Sequence, residues 1–430
     1  MSSPPRGLPG AIAPGASGAP APGRSGRRTS LRRTLLLLGP AFVAAVAYVD
    51  PGNVGTNVTA GARYGYLLLW VIVLANATAV LVQYLAAKVT IATGRTLPEL
   101  CQQRYRRPVR VGLLVQAEGV AIATDLAEIL GGAIALYLLL DLPLLLGGIV
   151  TGAVSLAILA VQQHRGQQRF EHTIVAMLAV VLVGFIWTAV AGRPDVSGVA
   201  SGLVPRLQGI DSLVLAAGIL GATVMPHAIW LHGALVRDRH GDVSADPRRR
   251  SELLRATRAD VGLALLLAGT VNVAMLVAAA ATLQDTTAAS IEDAYAGFAA
   301  GLGTAAALLF ALALLASGLA SSSVGTYAGA VILDGFGGRS IPLTLRRLVA
   351  LVPALLILAA GVDTTQALVL SQVVLSFGIP FALWPLVAIT ADRRVMGTLR
   401  NRRGTTAVTG TVAAAVSALN VVLVVLVALS

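Results

Sequence analysis

Residues 50–53 read Asp50-Pro51-Gly52-Asn53, and they interrupt an apolar run that extends from 35 to 62. Pro51 has no backbone N–H and its ring clashes with the preceding turn, while Gly52 lets the chain leave helical geometry. A helix built from this run is therefore broken in its middle. The break exposes carbonyls and sets a carboxylate and an amide beside them, which are oxygen ligands for a cation. The rest of the chain decides what surrounds that break. Of its 430 residues 56% are hydrophobic and only 12% are charged, with a mean hydropathy of +0.80. Soluble domains carry about 25% charged residues, so there is too little charge here to coat a water-facing surface. The reading is a polytopic membrane protein, all-α because lipid offers the backbone no partners.

Eleven stretches are apolar enough to span: 35–62, 66–91, 111–140, 143–163, 172–192, 212–236, 260–283, 297–333, 345–361, 366–391 and 406–429. Of the 32 basic residues 31 are arginine, and 28 of those fall in the N-terminal segment and alternate loops. The opposite loops hold only Arg63, Arg193 and Arg206. That asymmetry predicts a cytoplasmic N-terminus, an odd number of spans and an extracytoplasmic C-terminus in a cell membrane. It also explains the net charge of +12 as topology signals rather than a nucleic-acid surface. Residues 1–33, rich in Pro, Gly, Ala, Ser and Arg, read as a disordered cytoplasmic tail. The apolar sequence continues past the point where a signal peptide would be cut.

The single cysteine, Cys101, excludes an internal disulfide and multi-Cys metal centres. Neither a Walker motif, a nucleophile–base pair nor a His-Glu-x-x-His motif appears, so the chain reads as neither ATP-driven nor an enzyme, with no cofactor and no obligate protein partner implied.

Ionisable and polar groups inside spans are costly and mark function. The sixth span carries Ala222-Thr223-Val224-Met225-Pro226-His227 and then His232, a second proline break that frees carbonyls, that of Ala222 among them. Two interrupted helices, one in each half of the chain, point to a transporter site. The third span carries Glu118, Asp125 and Glu128 toward one side, read as a proton relay or a static ion-pair network. Arg346 and Arg347 are either their partners or topology charges at the interface. In the tenth span Gln372 can complete a metal shell or bond a neighbouring helix, and Asn272 in the seventh is ambiguous in the same way.

Taken together, Asp50-Pro51-Gly52-Asn53, Ala123-Thr124-Asp125-Leu126-Ala127-Glu128, Met225-Pro226-His227 with His232, and the segment around Gln372 resemble the Nramp family of divalent-metal transporters, from about Leu35 to the end. The resemblance implies a fold of the leucine-transporter type. Residues 34–192 and 212–391 would be inverted five-helix repeats, and 405–430 an eleventh helix. It implies proton-coupled import of Mn²⁺ and of related ions such as Fe²⁺, Co²⁺ and Cd²⁺. Asp50, Asn53, Met225 and the Ala222 carbonyl would bind metal, joined in some states by Gln372 and the Ala47 carbonyl. Asp125, Glu128, Glu118 and His232 match proton-route positions, with His227 beside the site and Arg346 and Arg347 as candidate partners. Trp230 stands where a smaller aromatic is usual and Gly233 replaces a common Ser, departures that bear on access or rate.

The donor chemistry agrees. One carboxylate, amide and carbonyl oxygens and a thioether form a mixed hard and soft set that suits Mn²⁺, Fe²⁺ and Cd²⁺ better than Mg²⁺ or Ca²⁺. A sodium-coupled organic-solute symporter of the same fold would instead show small residues and Ser/Thr ligands at the breaks. A passive channel would call for a charge ring.

Overall fold

A computed structural model describes residues 39–165, 167–284, 290–337 and 342–429, and the tail expected over 1–33 lies outside the described residues. Helix α1 (Pro40–Val46) runs into a 3₁₀ turn, Ala47–Val49, and α2 is Pro51–Tyr64. There follow α3 (Leu69–Thr93), α4 (Leu97–Arg104), α5 (Arg107–Leu140), α6 (Leu144–Arg165), α7 (Gln167–Ala191) and α8 (Val196–Gly202). The second half contains α9 (Gly209–Thr223), α10 (Pro226–His240), α11 (Pro247–Leu283), α12 (Ile291–Leu302) and α13 (Thr304–Gly335). The chain closes with α14 (Leu343–Ala359), α15 (Thr364–Ala391), α16 (Arg393–Met396) and α17 (Arg403–Leu429).

Among the described residues eight helical stretches are long and apolar enough to cross a membrane: α3, α5, α7 from Glu171, α9 with α10, α11, α13, α15 and α17. The expected fourth span is α6, 22 residues long, and the described part of the expected first span is α1, the 3₁₀ turn and α2, broken at Asp50. The expected span 345–361 is α14, 17 residues long with Pro353 inside it. The apolar stretch 297–333 is not one helix. Gly303 (φ 92°) ends α12 and starts α13, a backbone conformation glycine adopts without strain. The arginines of 248–258 were expected in a loop; they stand on α11, which begins at Asp246-Pro247 because the Asp246 carboxylate caps its first turn.

Both proline breaks form where the residue pattern placed them. Asp50 is extended (φ −66°, ψ 166°) and its carboxylate accepts the Asn53 N–H at 2.8 Å, so the acid that ends α1 also caps α2. Val224 (φ −106°, ψ 61°) and Met225 (φ −62°, ψ 118°) are likewise non-helical, and Pro226 opens α10. α13 packs on α5 and α7, α11 on α2 and α3, and α9 on α15. The Pro51 ring seats on Gly131 of α5, where a Cβ would lie 2.0 Å from the proline's own. The broken segment is thus buried at the centre, while Val115, Val183, Leu266 and Val422 project outward as lipid-facing apolar surface.

Candidate metal site

Asp50, Asn53, Ala222, Met225 and Gln372 are all fully buried. The Asp50 carboxylate accepts Asn53 Nδ2 at 3.0 Å on one oxygen and Gln372 Nε2 at 3.2 Å on the other. Asn53 Nδ2 also donates to the Ala222 carbonyl at 2.8 Å, which ties the first break to the second. Four of the six expected ligands are therefore gathered by direct hydrogen bonds. Met225 lies in the same break as Ala222, and Ala47 lies buried in the 3₁₀ turn before Asp50.

The electrostatics of this cluster are unbalanced. Among the described residues no Lys, Arg or His pairs with Asp50. Asn53 Oδ1 and Gln372 Oε1 are buried acceptors without a donor. Unpaired buried acceptors beside an uncompensated carboxylate cost several kcal/mol in an apolar core. A cation placed among them would satisfy them together. Among the described residues no three of His, Cys, Asp and Glu converge, so the donor set here is the mixed one.

The unwound backbone is itself held. Asn272 Nδ2 donates to the Tyr48 carbonyl at 2.9 Å, and Ser317 Oγ donates to that of Val49. Asn272 is thus a backbone clamp in this structure, which resolves one ambiguity of the sequence. Of the two roles open to Gln372, the structure shows the bond to a neighbouring helix, made through its nitrogen to Asp50, and its Oε1 has no hydrogen-bond partner.

The third-span acids divide. Asp125 pairs with Arg347 at 2.7 Å, both side chains being 1% exposed. Arg347 Nη2 also reaches Ser155 at 3.1 Å and Ser322. Glu118 pairs with Arg346 at 3.1 Å. Both arginines were possible interface charges; both are buried, Arg346 because Gly329 leaves space that a Cβ, 1.6 Å from its guanidinium, would fill. Glu128 differs, since it is fully buried and neither of its oxygens has a hydrogen-bond partner. His227 Nδ1 lies 3.3 Å from Thr124 Oγ1, and His232 Nδ1 lies 3.1 Å from the Gln83 carbonyl.

Three residues not singled out from the sequence belong to this surrounding: Gln83, which donates to the Tyr48 hydroxyl, Tyr48 itself, and Ser317. One of only two amides within the second apolar stretch, with Asn76, was the signal available for Gln83. A cavity of about 390 Å³ opens at one end of the same helices, lined by Thr59 and Arg63 of α2, Asp211 of α9, and Asp363, Thr365 and Gln366 at the start of α15. At the opposite end α10 is tied down by Arg237–Glu99 and Arg239–Glu171, each at 2.8 Å.

Comparison with known proteins bears on this arrangement. Residues 41–426 match the Nramp family description, natural resistance-associated macrophage protein-like. The chain is 56% identical over 400 residues to the divalent metal cation transporter MntH of Mycobacterium tuberculosis strain H37Rv, covering 92% of this chain and 93% of that one. A crystal structure of a mutant of the Eremococcus coleocola manganese transporter superposes with a TM-score of 0.82 at 31% identity, over 94% of this chain and 88% of that one. The fold extends to Mhp1, a nucleobase-cation-symport-1 family transporter, with a TM-score of 0.59 at 15% identity, over 83% of this chain and 79% of that one. With two buried helix breaks converging on one carboxylate and a family match over nearly all of its helical length, the chain belongs to the Nramp family.

Proposed function

We propose that the chain is a secondary transporter of divalent metal ions, with Mn²⁺ and softer relatives as substrates and protons as the coupling ion. The carrying observation is the buried junction of the two breaks. There the Asp50 charge stands beside unpaired amide oxygens of Asn53 and Gln372. Substrate would bind at Asp50, Asn53, Met225 and the Ala222 carbonyl, with Gln372 and the Ala47 carbonyl as further oxygen donors. The names of the M. tuberculosis and E. coleocola relatives, a divalent metal cation transporter and a manganese transporter, support the substrate class.

In this reading the membrane is crossed eleven times: by α1–α2, α3, α5, α6, α7, α9–α10, α11, α13, α14, α15 and α17. Residues 34–192 and 212–391 form the inverted repeats, and 405–430 the added helix. The N-terminus is cytoplasmic and the C-terminus extracytoplasmic, as the arginine asymmetry requires. The cavity over Asp211 and Asp363 is then an external vestibule, and the ion pairs of Arg237 and Arg239 close the cytoplasmic side. Glu128 is the proton carrier this arrangement favours, since it alone of the three span acids lacks an arginine partner and lies three residues from Asp125. Glu118, Asp125, His227, His232, Arg346 and Arg347 complete the proton route.

The test is Mn²⁺ uptake into proteoliposomes with and without an inward pH gradient. Uptake stimulated by the gradient, with acidification of the lumen, is expected. Mn²⁺ movement without accompanying protons removes the coupling. Transport of an organic solute with Na⁺ in place of metal removes the reading altogether.

A further inference from the structure

Eight exposed arginines crowd one end of the molecule. Arg104, Arg106 and Arg107 stand at the junction of α4 and α5, and Arg393, Arg394, Arg400, Arg402 and Arg403 lie between α15 and the start of α17. The ion pair Arg104–Asp392, at 2.7 Å, joins the two segments. It uses up the acid available there, because residues 100–117 and 393–430 contain no Asp or Glu. The other seven arginines form no side-chain ion pair among the described residues, although Arg394 lies near enough to Asp392 to share its charge.

A separate feature points to what is missing. Asn401, between Arg400 and Arg402, is buried at 5% exposure. Lys88 Nζ donates to its Oδ1 at 2.7 Å, which fixes the amide with its nitrogen free. That Nδ2 has no hydrogen-bond partner. A buried donor flanked in sequence by Arg400 and Arg402 and bonded to Lys88 favours an acceptor-only, anionic partner, and guanidinium matches phosphate oxygens in pairs. The long helices α5 and α17 also start here with no acid in their first turns, so their positive dipole ends add to the patch rather than offset it.

The surface beside the patch is apolar and exposed: Val109, Val111 and Val115 on α5, and Val408 on α17. An anion that binds here therefore does so at the edge of a lipid-facing wall. We propose that this patch is a binding site for an anionic phospholipid, whose phosphate takes the Asn401 Nδ2 donor and neighbouring arginines and whose chains lie along those valines. With the N-terminus cytoplasmic, the lipid belongs to the inner leaflet, where anionic headgroups attract such basic segments.

The experiment uses the full chain in detergent, with native mass spectrometry of bound lipid. Phosphatidylglycerol is titrated against phosphatidylcholine, and inorganic phosphate is the competitor. Wild type is expected to retain phosphatidylglycerol at least about tenfold better than phosphatidylcholine. Arg402→Gln with Arg403→Gln should weaken it by about fivefold per arginine removed. Asn401→Asp keeps the oxygen that Lys88 needs but replaces the free donor with a negative charge, so it too should lose the lipid. Arg402→Lys with Arg403→Lys should keep most of it. Thermal unfolding of each variant separates lipid loss from misfolding, and the wild-type preference needs no variant. Equal retention of the two lipids overturns the proposal, as does full phosphatidylglycerol binding by the folded Gln or Asp variants. Displacement of the lipid by millimolar inorganic phosphate would make this a free-phosphate site instead.

Discussion

Gly221 of α9 lies against the backbone of α15, and the effect of filling it follows from the geometry. A Cβ at Gly221 would sit 2.0 Å from the Gln372 carbonyl oxygen and 2.7 Å from the Ser376 nitrogen. Contacts of a Cβ under 3.0 Å essentially do not occur, so the two backbones must part by about 1 Å. Overpacking of this kind costs about 1–3 kcal/mol. The displacement matters more than the cost. Gly221 immediately precedes Ala222, whose carbonyl accepts Asn53 Nδ2 at 2.8 Å, and the residue it strikes is Gln372 itself. Moving either partner by about 1 Å takes a bond of that length beyond hydrogen-bond range. Gly221→Ala should therefore lower Mn²⁺ uptake in proteoliposomes by about tenfold or more, an effect of about 1.4 kcal/mol.

Two comparisons make the result interpretable. Gly52→Ala meets the flexible end of Gln372, its Cβ lying 1.6 Å from Nε2, so the side chain swings aside and the helices keep their spacing. Its defect should be smaller and should resemble that of Gln372→Ala. Gly119 of α5 and Gly410 of α17 have nothing within 4 Å of an added Cβ. Alanine there should stabilise by up to about 1 kcal/mol through helix propensity, with uptake unchanged. Uptake by Gly221→Ala within twofold of wild type refutes the reasoning. So does a Gly119→Ala defect of equal size.

The remaining expectations concern the charges and the sulfur. Asp50→Ala removes the formal charge that offsets dehydration of a divalent ion, so calorimetric Mn²⁺ binding and uptake should both disappear; near-normal uptake would sink the site. Asp125→Asn leaves Arg347 buried without its counter-charge and should cost about 3–5 kcal/mol of stability, while metal still binds and the pH dependence of uptake changes. Adding Arg347→Met should restore much of the unfolding midpoint but not the pH profile, and loss of metal binding with intact proton flux would reverse the roles assigned. Met225→Ala should weaken Cd²⁺ more than Mn²⁺ and let Ca²⁺ and Mg²⁺ compete better, by about tenfold; an unchanged selectivity order in competition assays means the sulfur is not a filter.

Some of this was legible because it is written in covalent constraints. Pro51 and Pro226 each stand beside residues that leave helical geometry readily or carry polar side chains into an apolar run, so both breaks were readable without a fold, whereas Pro353, Pro380 and Pro385 lie inside continuous helices. Apolar run length and arginine placement fixed helix positions closely, since lipid leaves the backbone no alternative. The reading failed where a break had no such constraint: Gly303 splits 297–333 through a positive φ that an apolar run does not announce. It named Arg346 and Arg347 as candidate partners of the third-span acids but could not say which acid each takes. Nothing in the sequence distinguishes Asp125 and Glu118, held by Arg347 and Arg346, from Glu128, which is held by neither. Nor could it tell that Asn272, 224 residues from Tyr48, spends its amide on that residue's carbonyl.

The pattern of satisfied and unsatisfied groups suggests how such a site can bind and yet release. Breaking two helices in an apolar core frees carbonyls that would each cost several kcal/mol if left alone. Asn272, Ser317 and Asn53 take up those of Tyr48, Val49 and Ala222, so the unwound backbone is held in one shape without metal. The Asp50 charge and the unpartnered oxygens of Asn53 and Gln372 are left as the groups that a cation at the proposed site would meet. A single carboxylate cancels half the charge of a divalent ion, and the rest is met only by dipoles and a thioether. Attraction of that size repays dehydration without creating the deep well that a second carboxylate or a histidine pair would make. With cargo at the proposed site, the same reasoning accounts for Asp50 bonding amides rather than an arginine, since a resident guanidinium, as at Asp125, would occupy the place proposed for the cargo.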